Sequence, residues 1–133
     1  MEQSVNKTEK RNKIIYWIFT IWMSFGMAFT GAIQILRTKE EVDMTTHLGY
    51  PSYFLTIIGV WKILGVIAVL SPKLLLLKEW AYAGFVFTLS GALFSHLAVG
   101  DPFGQEFPPI FLLVLVGLSY YFRPGNRKIS LAN

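Results

Sequence analysis

The stretch Glu79-Trp80-Ala81-Tyr82-Ala83-Gly84-Phe85-Val86-Phe87-Thr88-Leu89-Ser90-Gly91-Ala92-Leu93-Phe94-Ser95-His96-Leu97-Ala98-Val99-Gly100-Asp101 decides the fold. Its apolar part, about residues 80–99, has the roughly 20 residues that a helix needs to cross a bilayer. A histidine lies near one end and an aspartate just beyond it. Ala81, Gly84, Thr88, Gly91 and Ser95 recur at spacings of three and four, so on a helix they share one face. A stripe of small side chains lets a second helix approach closely, which is how helices associate in lipid. Gly84 and Gly91 are therefore expected packing positions.

Working outward, three more apolar runs appear. Ile14 to Leu36 would make roughly 34 Å of helix, too long for the 7–15-residue core typical of a signal peptide, so an uncleaved first span is expected. Its small or hydroxyl seam is Thr20, Ser24, Ala28 and Gly31, with Gln34 at the edge of that face. A second span is expected over 52–70, ending before Ser71-Pro72, the third over 80–99 with Gly100 as its cap, and a fourth over 108–122, opened by Pro108-Pro109. Residues 1–13 and 124–133 read as polar, basic tails, the first expected to be mobile. The segments 37–50 and 101–107 read as polar connections.

Composition agrees with this reading. Hydrophobic residues make up 53% of the 133 and charged ones 15%, against roughly 25% charged in soluble domains. A soluble core could not hide so much apolar surface in so short a chain. Lys and Arg concentrate at both chain ends and in the connection between spans two and three, nine in all, against two in the other connections. That asymmetry predicts both termini in the cytoplasm. Tyr16, Trp17, Trp80, Tyr120 and Tyr121 then fall at the inner interface and Tyr50 and Tyr53 at the outer one, as an aromatic belt. Basic residues placed this way flank a membrane and argue against a nucleic-acid partner. With no cysteine, disulfides, thiol relays and cysteine nucleophiles are excluded. An echo at an offset of 60 (Phe25/Phe85, Gly31/Gly91, Ala32/Ala92) is compatible with two related hairpins.

Chemistry centres on Lys62, near the middle of its span. A lysine there costs roughly 2.5–3.5 kcal/mol on insertion scales. Gly59 and Gly65, three residues to either side, place it on a face packed against protein. No acidic residue lies inside a span. Four fates stay open for the amine: a neutral form, hydrogen bonds to Ser24 or Thr88, snorkelling, or a polar group on a ligand. His96, His47 and Asp101 are expected at one membrane face with Gln34 just below, a set that can bind ligands or relay protons. They lack metal-ligand spacing such as His-x-x-x-His, so no metal site is assigned. Asp101 and Glu106 form a candidate acid pair. No nucleophile elbow, P-loop or dinucleotide fingerprint is present.

His47-Leu48-Gly49-Tyr50-Pro51, Gly59-Val60-Trp61-Lys62-Ile63-Leu64-Gly65, Lys78-Glu79-Trp80-Ala81-Tyr82-Ala83-Gly84-Phe85, and Gly91-Ala92 through Ser95-His96 to Gly100-Asp101 together resemble the DoxX-like family of small four-span bacterial membrane proteins. The resemblance covers roughly residues 14–123. It implies a fold and an inner-membrane location more firmly than a reaction, with family polar positions at His47, Lys62, Glu79, His96 and Asp101. The broader family is named after a subunit of a thiosulfate–quinone oxidoreductase, so a quinone is the cofactor or ligand that the resemblance suggests.

The expectation is thus an all-α integral membrane protein, an antiparallel bundle of four transmembrane helices with Gly31, Gly59, Gly65, Gly84 and Gly91 at helix contacts. Lys62, His96, His47, Asp101 and Gln34 would form an outward-facing polar pocket for a small lipophilic ligand. Two alternatives stay open. One is a quinone-linked oxidoreductase subunit with a membrane redox partner. The other is a structural subunit that pairs with another chain or with its own copy.

Overall fold

A computed structural model describes residues 2–127, all of whose regular elements are helices. They are α1 (Glu2–Ile35), α2 (Lys39–His47), α3 (Tyr53–Leu70), α4 (Leu75–Ala98) and α5 (Phe103–Tyr121), then a 3-10 turn at Gly125–Arg127. Stretches of α1 (Asn6–Ile35), α3 and α4 are long and apolar enough to cross a membrane, and the apolar part of α5, Glu106–Tyr121, is shorter. The long helices close a ring in which α1 packs on α3 and α5, and α4 packs on α3 and α5.

Four boundaries differ from expectation, the simplest being α4, which begins at Leu75 rather than near Trp80 and so takes Lys78 and Glu79 into the helix. The basic segment 1–13 continues α1 as helix from Glu2, giving 34 residues or about 51 Å, because its lysines, arginine and glutamates are good helix formers and nothing breaks the run. The polar connection 37–50 holds a helix, α2. The last helix starts at Phe103, ahead of Pro108 and Pro109, which lie inside it. Glu106 therefore sits in a first turn, where a helix's N-terminal partial charge favours a carboxylate. Of the expected tail 124–133, the part beyond Arg127 lies outside the described residues.

The α1–α3 contact is nearly backbone on backbone. A Cβ at Gly59 would lie 2.6 Å from the Gly31 carbonyl oxygen, and one at Gly31 would lie 3.1 Å from the Gly59 oxygen. Gly65 makes room for the Phe85 ring of α4, 2.6 Å from where its Cβ would be. The seam of α1 is used as expected: Thr20, Ser24 and Gly31 are buried and Ala28 packs on the core. Thr20 Oγ1 meets Ser119 Oγ at 2.5 Å and Tyr82 OH meets the same oxygen at 2.7 Å, so one hydroxyl cluster ties α1, α4 and α5.

The small stripe of α4 is used only in part: Ala81 packs on the core and Ser95 is buried, but its two glycines are not at helix contacts. Gly84 and Gly91 face open space, with nothing within 4 Å of an added Cβ. Instead α4 buries a face that carries Tyr82, Phe85, Leu89 and His96, because Gly65 of α3 accepts the Phe85 ring rather than a backbone. The echo at offset 60 fails for the same reason. Phe25 is 71% exposed and Phe85 3%, and Gly31 is wedged between helices where Gly91 is open. Phe25, Phe29, Trp61, Phe87 and Phe94 all face outward, an apolar belt that water would not tolerate and lipid covers.

Candidate functional site

Three helices end at the same pole in the same way. After α4, Gly100 takes φ 77°, its N–H reaching Leu97 O at 3.1 Å and that of Asp101 reaching His96 O at 3.0 Å. After α2, Gly49 takes φ 91°, with Gly49 N–H to Thr46 O and Tyr50 N–H to Thr45 O, both at 3.0 Å. After α1 the left-handed residue is Arg37, φ 53°, with its N–H to Gln34 O at 3.1 Å and that of Thr38 to Ile33 O at 3.3 Å. Each is the paired bonding of a Schellman motif, which satisfies the last carbonyls and turns the chain sharply. At α4 the turn brings Asp101 back over His96.

The Asp101 carboxylate bridges two imidazoles. Oδ2 lies 2.6 Å from His96 Nδ1 and Oδ1 lies 2.6 Å from His47 Nε2. A carboxylate can only accept, so both facing nitrogens carry hydrogen. Accepting from His96, and secondarily from His47, holds the Asp101 carboxyl below the usual carboxylate range. Asp101 makes no hydrogen bond to Glu106 among the described residues, so the expected acid pair is replaced by a His–Asp–His bridge.

Beside this bridge lies a cavity of about 430 Å³ to which all five helices contribute. Lys62 and Trp61 come from α3, Thr30 and Gln34 from α1, Glu41 and Thr45 from α2, His96 and Phe87 from α4, and Pro108, Pro109 and Leu112 from α5. Lys62 is 7% exposed, so it does not reach out among headgroups. Its Nζ donates to Thr30 Oγ1 at 3.2 Å, and Thr30 in turn donates to Gly26 O at 2.9 Å. The hydroxyl partner is thus Thr30, and not Ser24 or Thr88. Trp61 and Phe87 line the cavity yet are largely exposed, so the cavity reaches the apolar outer surface between α3 and α4.

Of the five expected site residues, the structure brings Lys62, His96 and Gln34 to the cavity. His47 and Asp101 are not in its wall and connect to it only through His96. Gln34 Oε1 is buried with no hydrogen-bond partner among the described residues. Sequence reasoning missed Thr30, Glu41 and Tyr50. Tyr50 OH donates to Ser95 Oγ at 2.7 Å, and Ser95 donates on to Gly91 O. A signal for Glu41 existed: Glu41, Met44, Thr45 and Leu48 follow a three-four spacing and share the face of α2 that meets the cavity. Glu79, a family position, lies at the opposite pole, paired with Arg123 and accepting from Tyr120 OH at 3.0 Å. No group of three or more His, Cys, Asp or Glu side chains among the described residues is placed to hold a metal ion.

Chemically, this is an aromatic-walled cavity of the size that takes small molecules, with an amine, an imidazole and a carboxylate on its lining. No curated protein and no solved structure matches the chain. The model of the DoxX-like family matches residues 18–119, most of the chain, taking in α2, α3 and α4 whole and most of the apolar parts of α1 and α5. The chain therefore belongs to the DoxX-like family, as a membrane protein.

Proposed function

We propose that the protein binds a small lipophilic ligand with a polar end in the cavity beneath α2. The observation that carries this reading is Lys62, a buried lysine with one hydroxyl partner at the wall of a 430 Å³ cavity. Burying an amine costs free energy that a single neutral hydrogen bond does not offset, so a polar group supplied from the cavity completes the site. A lateral opening flanked by Trp61 and Phe87 suits a ligand that arrives through lipid. The family resemblance makes a quinone the first candidate, with Lys62 donating to a carbonyl oxygen.

In this reading α1, α3, α4 and α5 all cross the bacterial inner membrane as an antiparallel bundle, residues 14–123 forming the transmembrane unit. Both termini are cytoplasmic and the cavity faces outward. The uneven distribution of Lys and Arg supports the orientation. Since the chain has no cysteine, single cysteines at Thr46 and Lys73 test it: an impermeant thiol reagent on intact cells should label the first and spare the second.

Ligand binding is tested by titrating the purified protein with a short-chain quinone and following tryptophan fluorescence, since Trp61 lines the cavity. Saturable quenching is expected, and Lys62→Met should weaken binding about 10- to 100-fold, the loss of one charge-assisted hydrogen bond of about 1.5–3 kcal/mol. Equal affinity in the variant would remove Lys62 from the site.

A further inference from the structure

The donors and acceptors around the cavity select among lipophilic ligands. This step rests on the binding reading above. His96 has Nδ1 committed to Asp101 Oδ2 at 2.6 Å, so in the neutral ring the hydrogen sits on Nδ1 and the lone pair on Nε2. Nε2 has no partner among the described residues, and His96 lines the cavity while being 5% exposed at its side chain. The same carboxylate is held from the other side by His47, whose side chain is 55% exposed. A fixed imidazole with a carboxylate behind it and a free lone pair ahead is the arrangement of a general base.

The other charged groups at the cavity are Lys62 from α3 and Glu41 from α2. No carboxylate pairs with Lys62 within 4 Å among the described residues; Glu41 shares the cavity wall with it. Glu106 of α5 is buried at the same pole but is not in the wall. A neutral lipid with only carbonyl oxygens could accept from Lys62 but would leave the His96 lone pair without a donor. A ligand with an acidic O–H answers both groups.

We infer that the cavity takes lipophilic weak acids, phenolic or enolic in class, and that His96 removes their proton on binding. The ligand O–H bond breaks, its electron pair stays on oxygen, and the proton forms the Nε2–H bond of an imidazolium. The new anion lies in the cavity with the Lys62 ammonium, and the imidazolium faces the Asp101 carboxylate. The acid enters from lipid uncharged and becomes an ion pair inside, so no net charge crosses the apolar surface. Asp101 is a positioning residue that stabilises the imidazolium, and His47 holds Asp101 in place.

The test uses a 4-alkyl-2-nitrophenol, whose phenolate absorbs at longer wavelength than its phenol, and the matching O-methyl ether, with full-length protein in detergent at a pH below the probe's own pKa. The wild-type protein should bind the phenol at least tenfold tighter than the ether and show the phenolate band. His96→Gln should still bind the ether, showing that the cavity is intact, while the phenolate band of the bound phenol falls at least tenfold. Asp101→Asn should give a partial loss of that band. Equal binding of phenol and ether, or an unchanged band in His96→Gln, would overturn the inference and leave the cavity reading standing. Binding of neither probe by the wild-type protein would overturn both.

Discussion

The molecule buries two lysines, one at a pole and one at the middle of α3, and treats them differently. At the pole bearing the termini, Lys78 is 1% exposed and its Nζ donates to two main-chain oxygens, Ala68 O at 2.9 Å and Ser71 O. Those carbonyls end α3, where the helix's partial negative charge favours a cation. Arg127 adds bonds to Val69 O at 2.9 Å and Ser71 O at 3.3 Å and lies over the Trp17 ring. Glu79, Arg123 and Tyr120 close the same end. At the middle of α3, by contrast, Lys62 has one hydroxyl and a cavity. A lysine whose donors meet main-chain carbonyls holds helices together; one with donors left over beside a cavity is equipped to meet a ligand.

Exchanging each lysine for methionine is the sharpest way to break this contrast. Lys78→Met should lower stability by about 2–3 kcal/mol, since charge-assisted bonds to buried carbonyls are lost, and should leave quinone quenching unchanged in the protein that remains folded. Lys62→Met should change stability by less than about 1 kcal/mol, because methionine fills the same volume and removes a poorly satisfied polar group. Thermal unfolding in detergent measures both, and equal losses would erase the distinction.

A second pair tests where the helices meet. Gly59→Ala places a methyl group 2.6 Å from the Gly31 oxygen and should cost about 1–3 kcal/mol, as overpacking does. Gly84→Ala meets nothing and should be neutral or stabilise by up to about 1 kcal/mol through helix propensity. Thermal midpoints in the reverse order would place the small stripe of α4 at a helix contact after all.

The smallest effect concerns acid. The folded-state pKa of Asp101 is depressed, so the bridge stabilises the native state above the ordinary carboxylate value of about 4 and loses that contribution as pH falls through the lower folded value. Hydrogen exchange of the α2 amides should therefore speed up between pH 5 and pH 3 relative to the intrinsic rate. Asp101→Asn should flatten that dependence.

Much of this anatomy was legible in advance because it depends on near neighbours. Runs of apolar residues locate helices, Gly100 and Gly49 mark turns that need a left-handed residue, and Gly31 and Gly59 fall on packed faces because small residues are what close backbone contact requires. Reading failed where a choice depended on a distant helix. Gly84 and Gly91 do not meet another helix because the partner of α4 offers Gly65, which receives the Phe85 ring. The polar character of 37–50 hid α2, whose apolar face is narrow and short.

By itself, then, the sequence determined that the chain is helical, that it lives in lipid, and that Lys62 and His96 are unusual residues to find there. Only the tertiary structure decided that Lys62 turns to Thr30 and a cavity, that Lys78 is equally buried yet occupied, and that one aspartate joins two histidines 49 residues apart in the chain. Hydropathy and turn chemistry act over a few residues, so a linear string records them. Whether a buried donor has a free valence depends on atoms supplied by helices far away in the chain.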